Sequence, residues 1–335
     1  MINTKPEEIK IEVTPQCNLS CKFCFNKNTY LISGKRQTQQ LTTNEWIKAI
    51  DKIVEAGIPT IRFTGGEPLV RKDIFDLFLY AKLKGLYVKL NTNGILINKN
   101  NVNILERCVD EVLIPLHTSN AKSEKILTGR SSFKKKLEAI KLLSKSKIKL
   151  RIDTCPTKNT IKNLEKIHEF IKTFNLDWFL ERPIPNKDFM YPINNSDVKL
   201  LVEKIIKINK KYDKNYYISG LPLCSYDPEK TKLISIGGQY CGPFSILVID
   251  PNGMVKPCYS INENLGNIFS SDIFELWNHE FCKKLRSFNH DFFPQTCVEC
   301  DYLKNCMGGC RFSAKLVNGS YASMDPLANP EKYIL

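Results

Sequence analysis

Apolar and polar positions follow two different periods along the first two thirds of the chain. Short apolar runs at 9–13, 60–63, 86–90, 112–116, 149–154 and 178–181 read as strands. Between them, helical spacing appears at 42–56, 73–84, 99–107, 132–144 and 161–173, and again over the amphipathic stretch 194–211. Thr42 and Glu45 form a capping-box-like start for the first helix, and Gly57 stops it. Residues 28–40 are polar without a clear period and read as a loop. Six rounds of strand then helix predict a parallel sheet of right-handed βαβ units, short of the eight that close a barrel.

Candidate chemistry begins where the first strand ends. Cys17, Cys21 and Cys24 stand at C-x3-C-x2-C, immediately after Val13. Thiols this close cannot make long-range disulfides, but they can converge on one soft metal centre. A zinc site wants four ligands, and no fourth Cys or His is near. Three ligands suit an iron–sulfur cubane whose fourth iron stays open, with a zinc knuckle or a chance cluster as the alternatives. The motif resembles that of the radical S-adenosylmethionine (SAM) enzymes. The resemblance implies that the three cysteines hold a [4Fe-4S] cluster whose open iron chelates the amino and carboxylate groups of SAM. Reductive cleavage of SAM would then give methionine and a 5′-deoxyadenosyl radical that takes hydrogen from the substrate. It also implies that Phe23 packs near the adenine.

The six-unit pattern agrees with the partial (β/α)6 TIM-like barrel of that family. We expect the barrel over 8–190, a helical connector over 191–223 and an iron–sulfur extension over 224–335. Gly65-Gly66-Glu67-Pro68 follows the second strand, where two glycines let backbone approach a ligand closely. In the family this segment binds the amino group of SAM, with Glu67 expected to hold the ammonium; alone, it would read as a generic turn. Thr92-Asn93-Gly94, at the end of the third strand, resembles the ribose-contacting segment. Relatives carry a Ser near the end of the fourth strand, where this chain reads Ile114-Pro115-Leu116-His117. Arg130 is the candidate to replace its contact with the SAM carboxylate. His117, Asp153, Glu181 and Arg182 are charged or titratable residues on or beside apolar barrel strands, and are candidates to face substrate or to satisfy one another.

Composition fits this picture. Of 335 residues, 42% are hydrophobic and 25% charged, enough for a sizeable core. Thirteen cysteines without a signal peptide or an 18-residue apolar run point to metal ligation in the reducing cytoplasm, with no membrane span. The net charge of +14 is spread through amphipathic helices, with no arginine-rich tract, which weighs against a nucleic-acid partner.

The remaining cysteines cluster late. Cys241, Gly253 and Cys258 give C-x11-G-x4-C, and Cys297, Cys300, Cys306 and Cys310 give C-x2-C-x5-C-x3-C. Together they resemble the SPASM extension, which implies up to two auxiliary [4Fe-4S] clusters; a zinc ribbon is the alternative for the C-x2-C pair. By that resemblance Cys241, Cys258, Cys310 and the upstream Cys224 serve one cluster, and Cys297, Cys300 and Cys306 the other. Relatives complete the second set with a cysteine in Asp-Pro-x-Cys, where this chain has Asp325-Pro326-Leu327-Ala328. An oxygen ligand such as Asp325, a borrowed Cys224 or an open iron would each fill the gap, and three cysteine ligands are the expectation. Cys108, Cys155 and Cys282 are expected to be buried thiols.

The resemblance implies a radical SAM oxidoreductase or maturase acting on a peptide or protein, reduced by a low-potential donor such as ferredoxin or flavodoxin. About ten residues precede the first strand, too few for a leader-peptide domain, so a separate protein would present such a substrate. A second reading is a tetrapyrrole-modifying enzyme of alternative haem or haem d1 synthesis, whose relatives share the tail seen at Gly308 to Ala314. A different class would be a non-catalytic iron–sulfur electron carrier or a zinc-containing nucleic-acid binder. The Gly65–Pro68 segment is hard to explain in either.

Overall fold

The computed structural model describes residues 4–27, 31–32, 35–36, 40–174, 176–186, 188–189, 192–231, 236–237 and 242–333. Six strands, β1 (Glu8–Glu12), β2 (Thr60–Thr64), β3 (Tyr87–Asn91), β4 (Glu111–Pro115), β5 (Lys149–Thr154) and β6 (Asp177–Glu181), lie side by side in chain order and are all parallel. Their crossovers carry α1 (Thr43–Glu55), α2 (Ile74–Leu83), α3 (Val102–Cys108), α4 (Ala121–Thr128), α5 (Phe133–Leu143) and α6 (Leu164–Ile171). The expected capping box at Thr42 and Glu45 is present.

Three differences from the periodic pattern have local causes. The third helix starts late because the Asn98 and Asn101 side chains bond the backbone amides of Asn100 and Asn98. The helix expected at 161–173 breaks at Asn163 (φ −109°, ψ 16°), which ends one short helix and begins α6. Helix α4, capped by the Asn120 side chain and closed by a left-handed Gly129, was not anticipated.

The sheet continues past the sixth strand. Helix α7 (Asn195–Tyr212) packs back on α6, with Lys204 paired to Glu165, and leads to β7 (Tyr217–Ser219), parallel to β6. Then β8 (Ile236–Gly237) joins β7, and β9 (Ile246–Ile249) joins the far side of β1. Strands β10 (Met254–Lys256) and β11 (Gly266–Asn267) complete an eleven-stranded order, β8-β7-β6-β5-β4-β3-β2-β1-β9-β10-β11. The late strands thus extend the same sheet as the barrel.

Period-two alternation divides the sheet into two faces. Ile9, Ile11, Ile61, Phe63, Val88, Leu90, Val112, Ile114, Ile152 and Leu180 are buried in the main core with the helices. The alternate positions carry charge instead. Glu8 binds Arg62 at 2.6 Å and Lys89 at 2.8 Å, Arg62 reaches Asn91, and Arg151 donates to the Tyr217 hydroxyl. Burial alone would raise the Glu8 carboxyl, but Arg62, Lys10 and Lys89 outweigh it and hold it at about 2. Among the described residues no helix is long and apolar enough to cross a membrane.

Candidate active site

The cysteine loop is fastened on two sides by backbone. On one side, Val13 donates to the Thr64 carbonyl, Gly66 to that of Thr14 and Glu67 to that of Gln16, while Asn26 reaches the Gly65 carbonyl. On the other, the amides of Ser20 and Lys22 bond the carbonyls of Thr128 and Leu127, at the end of α4. A Cβ at Gly65 (φ +131°) would stand 2.5 Å from the Thr14 carbonyl oxygen, and one at Gly66 would collide with that of Gln16. The glycines therefore serve backbone-to-backbone closeness between two loops, where the sequence suggested closeness to a ligand.

These loops bound a cavity of about 260 Å³ at the carboxyl ends of the strands. Cys17, Phe23, Cys21 and Cys24 line it, as do Gly65, Gly66, Glu67, Thr92 and Asn93. The Glu67 carboxylate accepts from Leu69 N, Thr92 Oγ1 (2.7 Å) and Asn93 N (2.8 Å), so it clamps the second-strand loop to the third. Asn93 in turn donates to the Asn18 side chain in the cysteine loop. Burial raises the Glu67 carboxyl, against the pull of those hydrogen bonds. Pro68 is buried at the start of a 3-10 turn outside the cavity, and Arg130 is exposed and outside it as well.

Residues 11–174 match the radical SAM superfamily and residues 241–301 match an iron–sulfur cluster-binding domain, SPASM; together they cover most of the chain. This chain belongs to the radical SAM superfamily. Solved structures agree with the fold. The S-adenosylmethionine-bound SuiB of Streptococcus suis superposes with a TM-score of 0.77 at 20% identity, over 97% of this chain and 78% of that one. SuiB bound to its precursor peptide SuiA gives 0.78 at 21% identity, over 97% and 76%. AnSMEcpe with bound AdoMet gives 0.74 at 20% identity, over 96% and 93%. The radical SAM chain is an enzyme whose cofactors are [4Fe-4S] clusters and SAM, with a SPASM extension.

Deeper in this radical SAM cavity lie the groups singled out on the strands. His117 is buried against Phe23, edge to face at 4.6 Å, and its Nδ1 accepts from the Cys155 amide at 3.0 Å. Burial, then Lys136, holds its pKa well below the usual range, so it is a neutral imidazole with its proton on Nε2. Asp153 has an oxygen, Oδ1, without a hydrogen-bond partner, and burial with Glu181 beside it pushes the carboxyl well upward. Glu181 accepts from the Tyr259 hydroxyl at 2.7 Å. Arg182 is different: its guanidinium is paired at 2.5 Å to Asp325, and both are buried. A substrate role for its charge gives way to a structural pair.

Reading the sequence did not single out Lys10, Tyr259 or, as a lining residue, Cys155. Lys10 lies over the Tyr259 ring at 5.1 Å. Its signal was present: Glu8, Lys10 and Glu12 alternate with Ile9 and Ile11, which marks a polar inner face. Cys108, Cys155 and Cys282 are buried as expected, but Cys155 also borders the site.

The late cysteines fall into two places. Cys258 is half-buried near Cys310 and Lys10, and desolvation pushes its thiol up to about 11. Cys224, Cys297, Cys300 and Cys306 line a separate cavity of about 480 Å³. Asp325, the carboxylate named as one alternative ligand, accepts from Arg182 and Cys310 N on one oxygen and from Leu327 N on the other. Cys241 lies outside the described residues.

Proposed function

We propose that this enzyme modifies a peptide or protein substrate by hydrogen abstraction in the cavity beneath the cysteine loop. The thiols of Cys17, Cys21 and Cys24 would hold the SAM-binding cluster. Their chemistry fits that group: burial first, then Cys24 and Cys17 nearby, raises the Cys21 thiol to about 12, a cost that a cationic metal centre offsets. Loaded with cluster and SAM, the site would supply one-electron reductive cleavage and radical hydrogen abstraction. The chain's own residues shape what surrounds that event. Glu67 fixes Thr92 and Asn93 at the cavity wall, Phe23 and neutral His117 form an apolar shelf, and Asp153 faces the deeper space.

The observation that carries the reading is the one cavity shared by the three thiols and by Asp153, Glu181 and Tyr259. A protonated Asp153 can donate to a carbonyl and accept from an amide, which suits peptide groups. SuiB bound to a precursor peptide and anSMEcpe bound to Cp18Cys peptide share the fold and support this choice. The tail shared with tetrapyrrole enzymes has a structural cause here: Arg311 is buried and binds the carbonyls of Gly308, Phe292, Tyr321 and Ser323.

The test is isotope transfer. Reconstituted enzyme with SAM, reductant and peptides from deuterium-grown cells should place deuterium in 5′-deoxyadenosine. Asp153→Leu, which removes donor and acceptor alike, should keep SAM cleavage and lower that transfer about tenfold, the equivalent of one hydrogen bond. Transfer from a deuterated tetrapyrrole but from no peptide would overturn the proposal.

A further inference from the structure

The geometry points to Cys224 as the fourth thiolate of the centre held by Cys297, Cys300 and Cys306, replacing the cysteine that relatives carry where this chain has Ala328. The family resemblance groups Cys224 with Cys241, Cys258 and Cys310 instead. Four observations favour the exchange. First, Cys224, Cys297, Cys300 and Cys306 line one cavity, and Ala328 and Met324 line it too. Second, the turn that bears Cys224 is tied to this set: the neighbouring Leu223 amide donates to Cys306 Sγ at 3.3 Å.

Third, the Asn329 backbone, next to Ala328, lies beside Cys224. The sulfur therefore sits against the segment in which relatives place their own cysteine. Fourth, Asp325, the rival oxygen ligand, is not among the residues lining this cavity and is held instead by Arg182 and the amides of Cys310 and Leu327.

A cysteine lost from one end of the chain is thus compensated by one that is distant in sequence and adjacent in space. The exchange leaves Cys258 and Cys310, with Cys241 from the sequence, for the other auxiliary centre. The inference rests on the cofactors of the family and not on the identity of the substrate, so its test needs no turnover.

In the full chain with Cys17, Cys21 and Cys24 replaced by Ala, iron, sulfide and the electron paramagnetic resonance of the reduced protein report the auxiliary centres alone. Adding Cys224→Ala should remove at least about nine-tenths of one signal, the same signal that Cys300→Ala removes, and leave the one that depends on Cys258. Ala328→Cys in the Cys224→Ala protein should restore both that signal and its iron. Restoration also shows that the variant folds. An unchanged spectrum in Cys224→Ala, loss of the Cys258-dependent signal, or failure of Ala328→Cys to restore the first would each overturn the assignment.

Discussion

The two cysteine-bearing regions are held in place by opposite means. The loop with Cys17, Cys21 and Cys24 is fastened by backbone: the amides of Gly66, Glu67, Ser20 and Lys22 are all used between loops. The segment from Cys297 to Cys310 is fastened by buried side-chain charge. Arg182 reaches Asp325 from the barrel, Asp325 receives the Cys310 amide, and Arg311 gathers four carbonyls. Its apolar support is a small separate cluster of Phe244, Leu285, Phe292, Phe293 and Leu303. Glycine suits the first design, because close backbone needs the absence of a Cβ. The second tolerates distance in sequence, because one guanidinium can join strands and loops that are far apart along the chain.

The comparison breaks most visibly at Asp325. Asp325→Ala leaves Arg182 charged, buried and unpaired, which costs about 3–5 kcal/mol for a broken buried pair. Denaturant unfolding should show that loss, and the Cys310 segment should open with it. Asp325→Asn should cost less, because an amide oxygen can still receive the Cys310 N–H. A loss below about 1 kcal/mol in Asp325→Ala would mean that Arg182 is matched elsewhere and that the late cysteines do not depend on charge.

Gly66→Ala probes the other region. Its methyl group would press on the Gln16 carbonyl, which is backbone and cannot rotate away. Overpacking of this kind costs about 1–3 kcal/mol, borne by the loop that carries Cys17. SAM cleavage, read as 5′-deoxyadenosine, should fall about tenfold or more, while iron in the auxiliary centres stays constant. Equal losses of auxiliary iron would show that the two regions are not independently built.

The fold was legible because strands and helices in a partial barrel differ in period, and all six strands lie within a residue of the expected bounds. The cavity was legible where its residues are consecutive, as in Cys17 to Cys24 and Gly65 to Glu67. It was obscure where two distant side chains decide each other's role. Arg182 looks like a substrate contact until Asp325, 143 residues on, neutralises it. Glu67 reads from its motif as a ligand-binding carboxylate, and only the fold shows that it also holds Thr92 and Asn93. Cys224 is grouped with Cys241 by the family resemblance, and only packing sets it in one cavity with Cys297 and Cys306.

Arg130 gives the smallest effect and the sharpest contrast between motif and geometry. By position it follows Thr128-Gly129, which meets the cysteine loop, and an arginine there would suit the SAM carboxylate. The structure uses the backbone of that turn and leaves the side chain in solvent: the Ser20 amide bonds the Thr128 carbonyl, and Thr128 Oγ1 the Arg130 carbonyl. An alanine keeps both carbonyls. Arg130→Ala should therefore change SAM affinity and stability by less than about 0.5 kcal/mol, as for a surface position without a buried partner. Isothermal titration with SAM on the reconstituted enzyme reads this directly. A tenfold loss of affinity would bring Arg130 into the site and show that the α4 end serves the ligand as well as the loop.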